Sequence, residues 1–244
     1  MKTAFRLLSA GALFLAFIPF SRANLNYKVL EDQEENCADW AEQGECNKNP
    51  KYMLENCPAS CKWQESHNKR MKKIIEEKIG HIDSFFELEA EDIDNNVVKF
   101  DQFKGKVTVI TNVASFCGYT ESHYKGLVEL YSQFKSSAIG FNILAFPCNQ
   151  FGEQEPNQCH TIKEFAQSKG VEFTMMNKVD VNGEEASPVY HYLKKVAGPP
   201  RITWNFATYY VVGPDGTVSS YSGVEPHELK EVILEAMGMD RSEL

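Results

Sequence analysis

The clearest hydrophobic pattern lies in the middle of the chain, where β-branched apolar residues alternate with polar ones over Lys106-Val107-Thr108-Val109-Ile110-Thr111. That alternation predicts a strand over 106–113. Downstream, Leu127, Leu130, Tyr131 and Phe134 recur at helical spacing and predict a helix over 120–135. A short apolar run predicts a second buried strand over 141–146. The same reading gives short helices over 161–168 and 188–195, and an extended segment over 171–180. Strands over 209–212 and 217–221 flank the turn Pro214-Asp215-Gly216, and a helix over 226–237 follows. Upstream, strands over 84–89 and 97–100 form a hairpin, with its turn at Asp94-Asn95-Asn96. Strand, helix and strand followed by a hairpin and helix predict an α/β domain with a mixed central sheet.

One cysteine stands at the first strand-to-helix junction, in Asn112-Val113-Ala114-Ser115-Phe116-Cys117-Gly118-Tyr119-Thr120. Unpaired N–H groups and the positive end of a helix dipole are expected there, and both favour thiolate over thiol. The thiolate is the reactive form, so Cys117 reads as a nucleophile. In α/β sheets, sites collect at the carboxyl ends of strands, where Cys117 and Cys148 both fall.

Charge and termini narrow the class. The 244-residue chain has a formal net charge of −9. The first 23 residues carry Lys2, Arg6 and Arg22 and no acid, so the remaining chain stands at −12. Such a chain is a poor ligand for phosphate backbones, and nucleic acid is set aside as a partner. A basic start, an apolar run over 7–20 and small residues before Ala23 describe a secretory signal peptide over 1–23. The apolar run is shorter than the ~20 residues a membrane span needs, and no transmembrane segment is expected. The chain ends Arg241-Ser242-Glu243-Leu244, which resembles a Lys-Asp-Glu-Leu type of retention signal. The expected location is the secretory pathway, with endoplasmic reticulum lumen and secretion both open, and either permits disulfides.

The seven cysteines form two populations. Cys37, Cys46, Cys57 and Cys61 are clustered, while Cys117, Cys148 and Cys159 are dispersed, and a charged helical linker over 65–80 separates the groups. So short a segment cannot bury a stable core, and four cysteines in an oxidising compartment imply covalent staples. Spacing alone leaves the pairing open. Trp40-Ala41, Gly44-Glu45-Cys46, Asn49-Pro50-Lys51-Tyr52-Met53 and Cys57-Pro58-Ala59-Ser60-Cys61 resemble a ShK toxin-like (ShKT) domain over about 30–64. That family has three bridges. The bridge between its ends is absent here, where Leu30 and Gln64 stand at the two positions. The resemblance implies Cys37–Cys57 and Cys46–Cys61, in a looser module serving adhesion or positioning.

The larger segment is similar to the glutathione peroxidase family over about 81–240. The matching motifs are Asn-Val-Ala-Ser-x-Cys-Gly-x-Thr at 112–120, Leu-Ala-Phe-Pro-Cys-Asn-Gln-Phe-Gly-x-Gln-Glu-Pro at 144–156, Lys-Val-Asp-Val-Asn-Gly at 178–183 and Trp-Asn-Phe at 204–206. The resemblance implies a thioredoxin-like fold. It also implies a catalytic tetrad of Cys117, Gln154, Trp204 and Asn205, with cysteine where many animal members hold selenocysteine. The residue types suit the chemistry. A thiolate attacks a peroxide O–O bond and becomes a sulfenic acid, while amide and indole N–H groups stabilise the developing charge. The substrates implied are hydrogen peroxide or organic and lipid hydroperoxides. No bound cofactor is expected, and Cys148, Cys159 and His160 lack any recognised metal spacing.

One departure matters. Many cysteine-type relatives place a resolving cysteine after Glu-Phe-Ala, and here Gln167 follows Glu164-Phe165-Ala166. Cys159 lies eight residues earlier, roughly 12 Å along a helix. Two mechanisms result. In the favoured one, Cys117 works alone and an external thiol (glutathione or a disulfide isomerase) reduces its sulfenic acid. In the alternative, Cys159 or Cys148 resolves it after rearrangement, and a thioredoxin-like protein recycles the disulfide. The short Ala197-Gly198-Pro199-Pro200-Arg201-Ile202 segment lacks the insertion of tetrameric relatives and implies a monomer. A rival from another class is a non-catalytic redox sensor or adhesion protein, oxidised once per chain and passing the change to a partner.

Overall fold

A computed structural model describes residues 30–239; the segment 1–23 expected as a signal peptide and the tail 241–244 expected as a retention signal lie outside the described residues. The chain divides into two compact units at Gln64/Glu65. The charged stretch expected as a helical linker belongs to a long helix, Pro58–Ile79, which the division cuts near its start.

The first unit holds α1 (Cys37–Glu42), α2 (Glu45–Lys48), α3 (Pro50–Asn56) and the first residues of the long helix, α4 (Pro58–Ile79). Disulfides join Cys37 to Cys57 and Cys46 to Cys61, with Cα–Cα distances of 5.2 and 5.7 Å. Buried Ala41 and Met53 pack with Cys37, Cys57 and Cys61, a core too small to hold helices without the bridges. Near the position of the absent third bridge, Asp32 provides a polar tie. Its carboxylate accepts from the Ala59 amide at 2.9 Å and from the Ser60 amide and hydroxyl at 3.1 and 2.5 Å. The contact also satisfies donors that the first turn of a helix leaves without partners.

The second unit opens with a separate two-stranded hairpin, in which β1 (Glu89–Glu91) pairs with β2 (Val97–Lys99). Its main sheet is built from β3 (Val107–Val113), β4 (Phe141–Pro147), β5 (Thr174–Met175), β6 (Thr208–Val212) and β7 (Val218–Ser222). These five strands lie in the order β5-β4-β3-β6-β7. β4 runs parallel to β3 and β5, while β6 is antiparallel to both β3 and β7. The sheet is therefore mixed, and the arrangement is thioredoxin-like.

Period-two alternation divides the sheet's side chains between two cores. Val107, Val109 and Val113 pack with α5 (Thr120–Phe134), α6 (Cys159–Ser168) and a last helix, Leu229–Met237. Ile110, Leu144, Phe146 and Tyr210 pack on the other side with Phe85, Phe100 and α7 (Pro188–Ala197). β3 is buried along its whole length, as expected for a central strand covered on both faces.

Four expected elements differ. The last helix, expected from 226, starts at Leu229 after a 3₁₀ turn at Pro226–Glu228. Residues 84–88 form no strand, and only Glu89 of the expected first strand enters β1. The Ser84 hydroxyl accepts from the Phe86 amide at 3.3 Å, which starts a 3₁₀ turn at Phe85–Glu87 and buries Phe85. The extended segment 171–180 contributes only the two-residue edge strand β5. α6 begins at Cys159, two residues before the expected start, and so places that cysteine at the helix's first position.

Candidate active site

Six residues separate the end of β3 from the start of α5, and their backbone is closely tied. The Ser115 amide donates to Glu155 Oε2 at 2.7 Å, the Phe116 amide to the Gln154 carbonyl at 3.1 Å, and the Cys117 amide to Thr120 Oγ1 at 3.1 Å. The Thr120 hydroxyl in turn donates to the Ala114 carbonyl at 2.7 Å. The strand–helix junction predicts unpaired N–H groups beside the thiol; amides 115–117 are engaged in holding the loop, which leaves those of Gly118 and Tyr119 as the backbone donors next to it. Cys117 itself is only 7% exposed, whereas Phe116 and Tyr119 on either side are 61% and 53% exposed.

Side-chain donors are also expected near the thiol, and the structure groups the three residues expected to carry them. The Asn205 Nδ2 donates to Gln154 Oε1 at 3.3 Å. Trp204, next in the chain, is 39% exposed and packs its ring 5.9 Å from that of Phe151. Gly152 lies against both Trp204 and Gln154: a Cβ there would sit 3.5 Å from the indole and 3.6 Å from Gln154 Cγ. Its φ of +59° also suits glycine. The Phe116–Gln154 backbone bond sets this group against the Cys117 loop.

Asn112 is not among the expected site residues, yet it orients them. Its Nδ2 donates to Asn205 Oδ1 at 3.0 Å and to the Trp204 carbonyl at 3.3 Å. An amide that accepts at its oxygen must donate from its nitrogen, so the run Asn112 to Asn205 to Gln154 fixes both downstream amides. Gln154 accepts at Oε1, and its Nε2 is left as the donor end. A signal for this was present in the sequence, because Asn112 is a polar residue in a strand otherwise suited to complete burial.

The other two free cysteines differ from Cys117 and from each other. Cys148 is fully buried among the residues of the opposite sheet face from Cys117, and burial pushes its thiol up to about 11. Cys159 packs at the edge of the same core as Cys117, and its thiol donates to Asn177 Oδ1 at 2.9 Å. Among the described residues, no group of three His, Cys, Asp or Glu side chains is arranged to hold a metal ion. No helix of the described residues is long and apolar enough to cross a membrane.

Beside Trp204 a cavity of about 470 Å³ opens between Tyr119, His123, Phe206, Val224 and Glu225. His123 is buried at its edge, with Nδ1 2.5 Å from the Tyr209 hydroxyl and Nε2 3.4 Å from Glu225. Burial lowers the basicity of this imidazole, and the Glu225 carboxylate partly offsets that effect.

Two family models match the chain: Glutathione peroxidase over residues 85–194 and ShK domain-like over 31–63. Glutathione peroxidase-like peroxiredoxin 2 of Saccharomyces cerevisiae is 46% identical over 156 residues, which is 62% of this chain and 94% of the yeast protein. Glutathione peroxidase-like peroxiredoxin gpx1 of Schizosaccharomyces pombe is 41% identical over 157 residues, covering 63% of this chain and 98% of that one. The solved structure of T. cruzi GPX1 is similar with a TM-score of 0.53 at 32% identity, covering 65% of this chain and 99% of that chain. Apo Trgpx gives a TM-score of 0.54 at 36% identity, over 65% of this chain and 97% of that one. With relatives matched over nearly their whole length, the chain belongs to the glutathione peroxidase family.

Proposed function

We propose that this chain is a thiol-dependent peroxidase in which Cys117 is the peroxidatic residue and Gln154, Trp204 and Asn205 are its charge-stabilising partners. The thiolate sulfur attacks the terminal oxygen of a hydroperoxide, and the O–O bond breaks. The sulfur keeps the hydroxyl as a sulfenic acid, and the departing alkoxide or hydroxide takes up a proton. Negative charge moves from sulfur onto the leaving oxygen, and fixed N–H donors lower the barrier where it develops. The observation that carries this reading is the Asn112–Asn205–Gln154 amide run, which presents a donor end of Gln154 from a segment bonded to the Cys117 loop.

An external thiol, glutathione or a disulfide isomerase, then reduces the sulfenic acid. In a second reading Cys159 resolves it and a thioredoxin-like protein recycles the disulfide. Membership of the same core as Cys117 favours Cys159 over the fully buried Cys148 for that role. The two bridges in the N-terminal module support a secretory-pathway location, with residues 1–23 removed as a signal peptide and 241–244 bearing on retention. The chain works as a monomer, with the module at 30–64 positioning the peroxidase domain at 81–240.

The test is intact mass after one equivalent of hydrogen peroxide, with Cys117, Cys148 and Cys159 each replaced by serine. A sulfenic acid that glutathione caps, lost only in Cys117→Ser, is the expected result. An internal disulfide lost in Cys159→Ser would replace the external-thiol mechanism with the second reading. Peroxide consumption unchanged in Cys117→Ser would overturn both.

A further inference from the structure

Glu155 follows Gln154 and has no part in the tetrad, yet its side chain is wholly removed from solvent. Oε2 accepts two bonds from one residue, the Ser115 amide at 2.7 Å and the Ser115 hydroxyl at 3.0 Å. Oε1 is buried with no protein partner, and among the described residues Glu155 makes no ion pair. The Lys178 ammonium eases the charge only from beyond ion-pair distance, so the buried carboxylate remains costly, and filling a loop does not require one.

The main chain of Glu155 is also held at both ends. Its amide donates to Asn149 Oδ1 at 2.8 Å, and its carbonyl accepts from Lys178 Nζ at 3.3 Å. Lys178 also reaches the Asn157 carbonyl at 2.7 Å, which steadies the residues just beyond. Glu155 is thus a fixed post. Against it rests Ser115, two residues before the peroxidatic sulfur. The only other direct bond between these segments among those described is the Phe116 amide to the Gln154 carbonyl.

We propose that Glu155 is a positioning residue for peroxide reduction: its carboxylate grips Ser115 and holds the Cys117 loop in register with the Gln154 amide. The inference rests on Cys117 being the peroxidatic thiol. Glu155 need not touch substrate. It sets the spacing between nucleophile and donor, to which a displacement reaction is steeply sensitive, about 100-fold for an ångström. A charged acceptor suits the task because charge-assisted hydrogen bonds are shorter and roughly twice as strong as neutral ones.

The experiment uses the full chain and compares two rates at Cys117. One is the second-order rate of oxidation by hydrogen peroxide, which needs the donors in place. The other is alkylation by iodoacetamide, which needs only an accessible thiolate. Glu155→Ala should slow oxidation about 30-fold or more while slowing alkylation less than about 3-fold. Glu155→Gln, which retains an acceptor for Ser115, should oxidise within about 5-fold of the parent. Hydrogen exchange at the Ser115 and Phe116 amides should accelerate in the alanine variant and not in the glutamine one.

Ser115→Ala removes only the hydroxyl bond and tests the role of Glu155 even if Glu155→Ala does not fold. It should oxidise about 3- to 10-fold more slowly, with alkylation unchanged. Three results would overturn the inference: oxidation within about 2-fold of the parent in Ser115→Ala or in a folded Glu155→Ala, equal losses in both rates, or Glu155→Gln as slow as Glu155→Ala. If the parent chain consumes peroxide and Cys117→Ser does not, any of these condemns the role of Glu155 alone. If Cys117→Ser leaves consumption unchanged, the peroxidase reading and this inference fall together.

Discussion

Asn112 allows the amide orientation of the site to be tested by magnitude. Asn112→Ala removes the donor to Asn205 Oδ1 at 3.0 Å and to the Trp204 carbonyl at 3.3 Å. Asn205 is fully buried, so its freed oxygen finds no water. Loss of the neutral bonds and one stranded acceptor costs about 2–3 kcal/mol, some of it returned because Asn112 Oδ1 already lacks a protein partner. For a domain of this size the melting temperature should fall by about 4–12 °C.

The kinetic effect of Asn112→Ala should nevertheless be small. Without the relay the Asn205 and Gln154 amides sample both orientations, and half the molecules still present the donor. The loss is then about 2- to 5-fold, since a bond worth ~1 kcal/mol biases the two orientations by only about that ratio. Asn112→Asp is the sharper perturbation. Once ionised, the new carboxylate can only accept, so Asn205 must turn its Nδ2 toward it and offer Oδ1 to Gln154. Gln154 then commits its nitrogen to Asn205 and turns its oxygen outward. Losing one stabilising donor costs about 100-fold or more. The assay is stopped-flow oxidation of Cys117 by hydrogen peroxide between pH 6 and 9. The Asn112→Asp rate relative to the parent should fall as the pH rises, because the protonated acid can still donate and the ionised one cannot. Equal rates for the two variants across that range would refute the proposed orientation of the relay.

Three further outcomes follow from burial and cross-linking. Cys148, pushed up to about 11 by burial, should resist iodoacetamide at pH 8 while Cys117 and Cys159 are labelled; labelling of Cys148 at a similar rate in folded protein would contradict its placement. Burial raises the Glu155 carboxyl above its ordinary value near 4.5, so the folded state binds its proton more tightly than the unfolded state does. That contribution to stability is complete below the unfolded value and is lost as pH rises through the native one. Glu155→Gln should therefore gain stability relative to the parent between pH 4.5 and 8 in chemical denaturation, and a flat or opposite difference would be inconsistent. Each bridge in the N-terminal module closes a loop of 15 or 20 residues and should contribute about 3 kcal/mol. Reduction should make residues 30–64 protease-sensitive while those after Ile79 stay intact, and unchanged resistance in fully reduced protein would count against this.

The legible parts of the chain are those in which local pattern and tertiary role agree. β3 is readable because a central strand needs β-branched residues throughout, and the motif around Cys117 fixes the junction that follows it. The expected strand over 84–89 holds only at Glu89: Phe85 and Leu88 are apolar, but they are buried in and just after a 3₁₀ turn started by Ser84. Glu155 is not legible as a buried group. An acid in a polar loop ordinarily faces water, and only its pairing with Ser115, 40 residues earlier, takes it inside. Cys159 reads as lying just before its helix because no capping side chain marks the start: Gln158 stands at the N-cap with no side-chain bond.

The way the Cys117 loop uses its hydrogen bonds bears on what can reduce the sulfenic acid proposed there. Amides 115–117 are bound to Glu155, Gln154 and Thr120, so the loop can release the sulfur toward an internal partner only by breaking several of these bonds together. Cys159 carries a second restraint, a thiol bonded to Asn177 at the first turn of α6. An internal disulfide therefore requires two segments to open at once. An external thiol requires neither, because Phe116 and Tyr119 already bring the loop to the surface on both sides of Cys117. On the proposed mechanism, each bond that steadies Cys117 for attack on peroxide also raises the barrier to internal resolution. The absence of a cysteine at Gln167 accords with a site built to remain closed through the whole cycle.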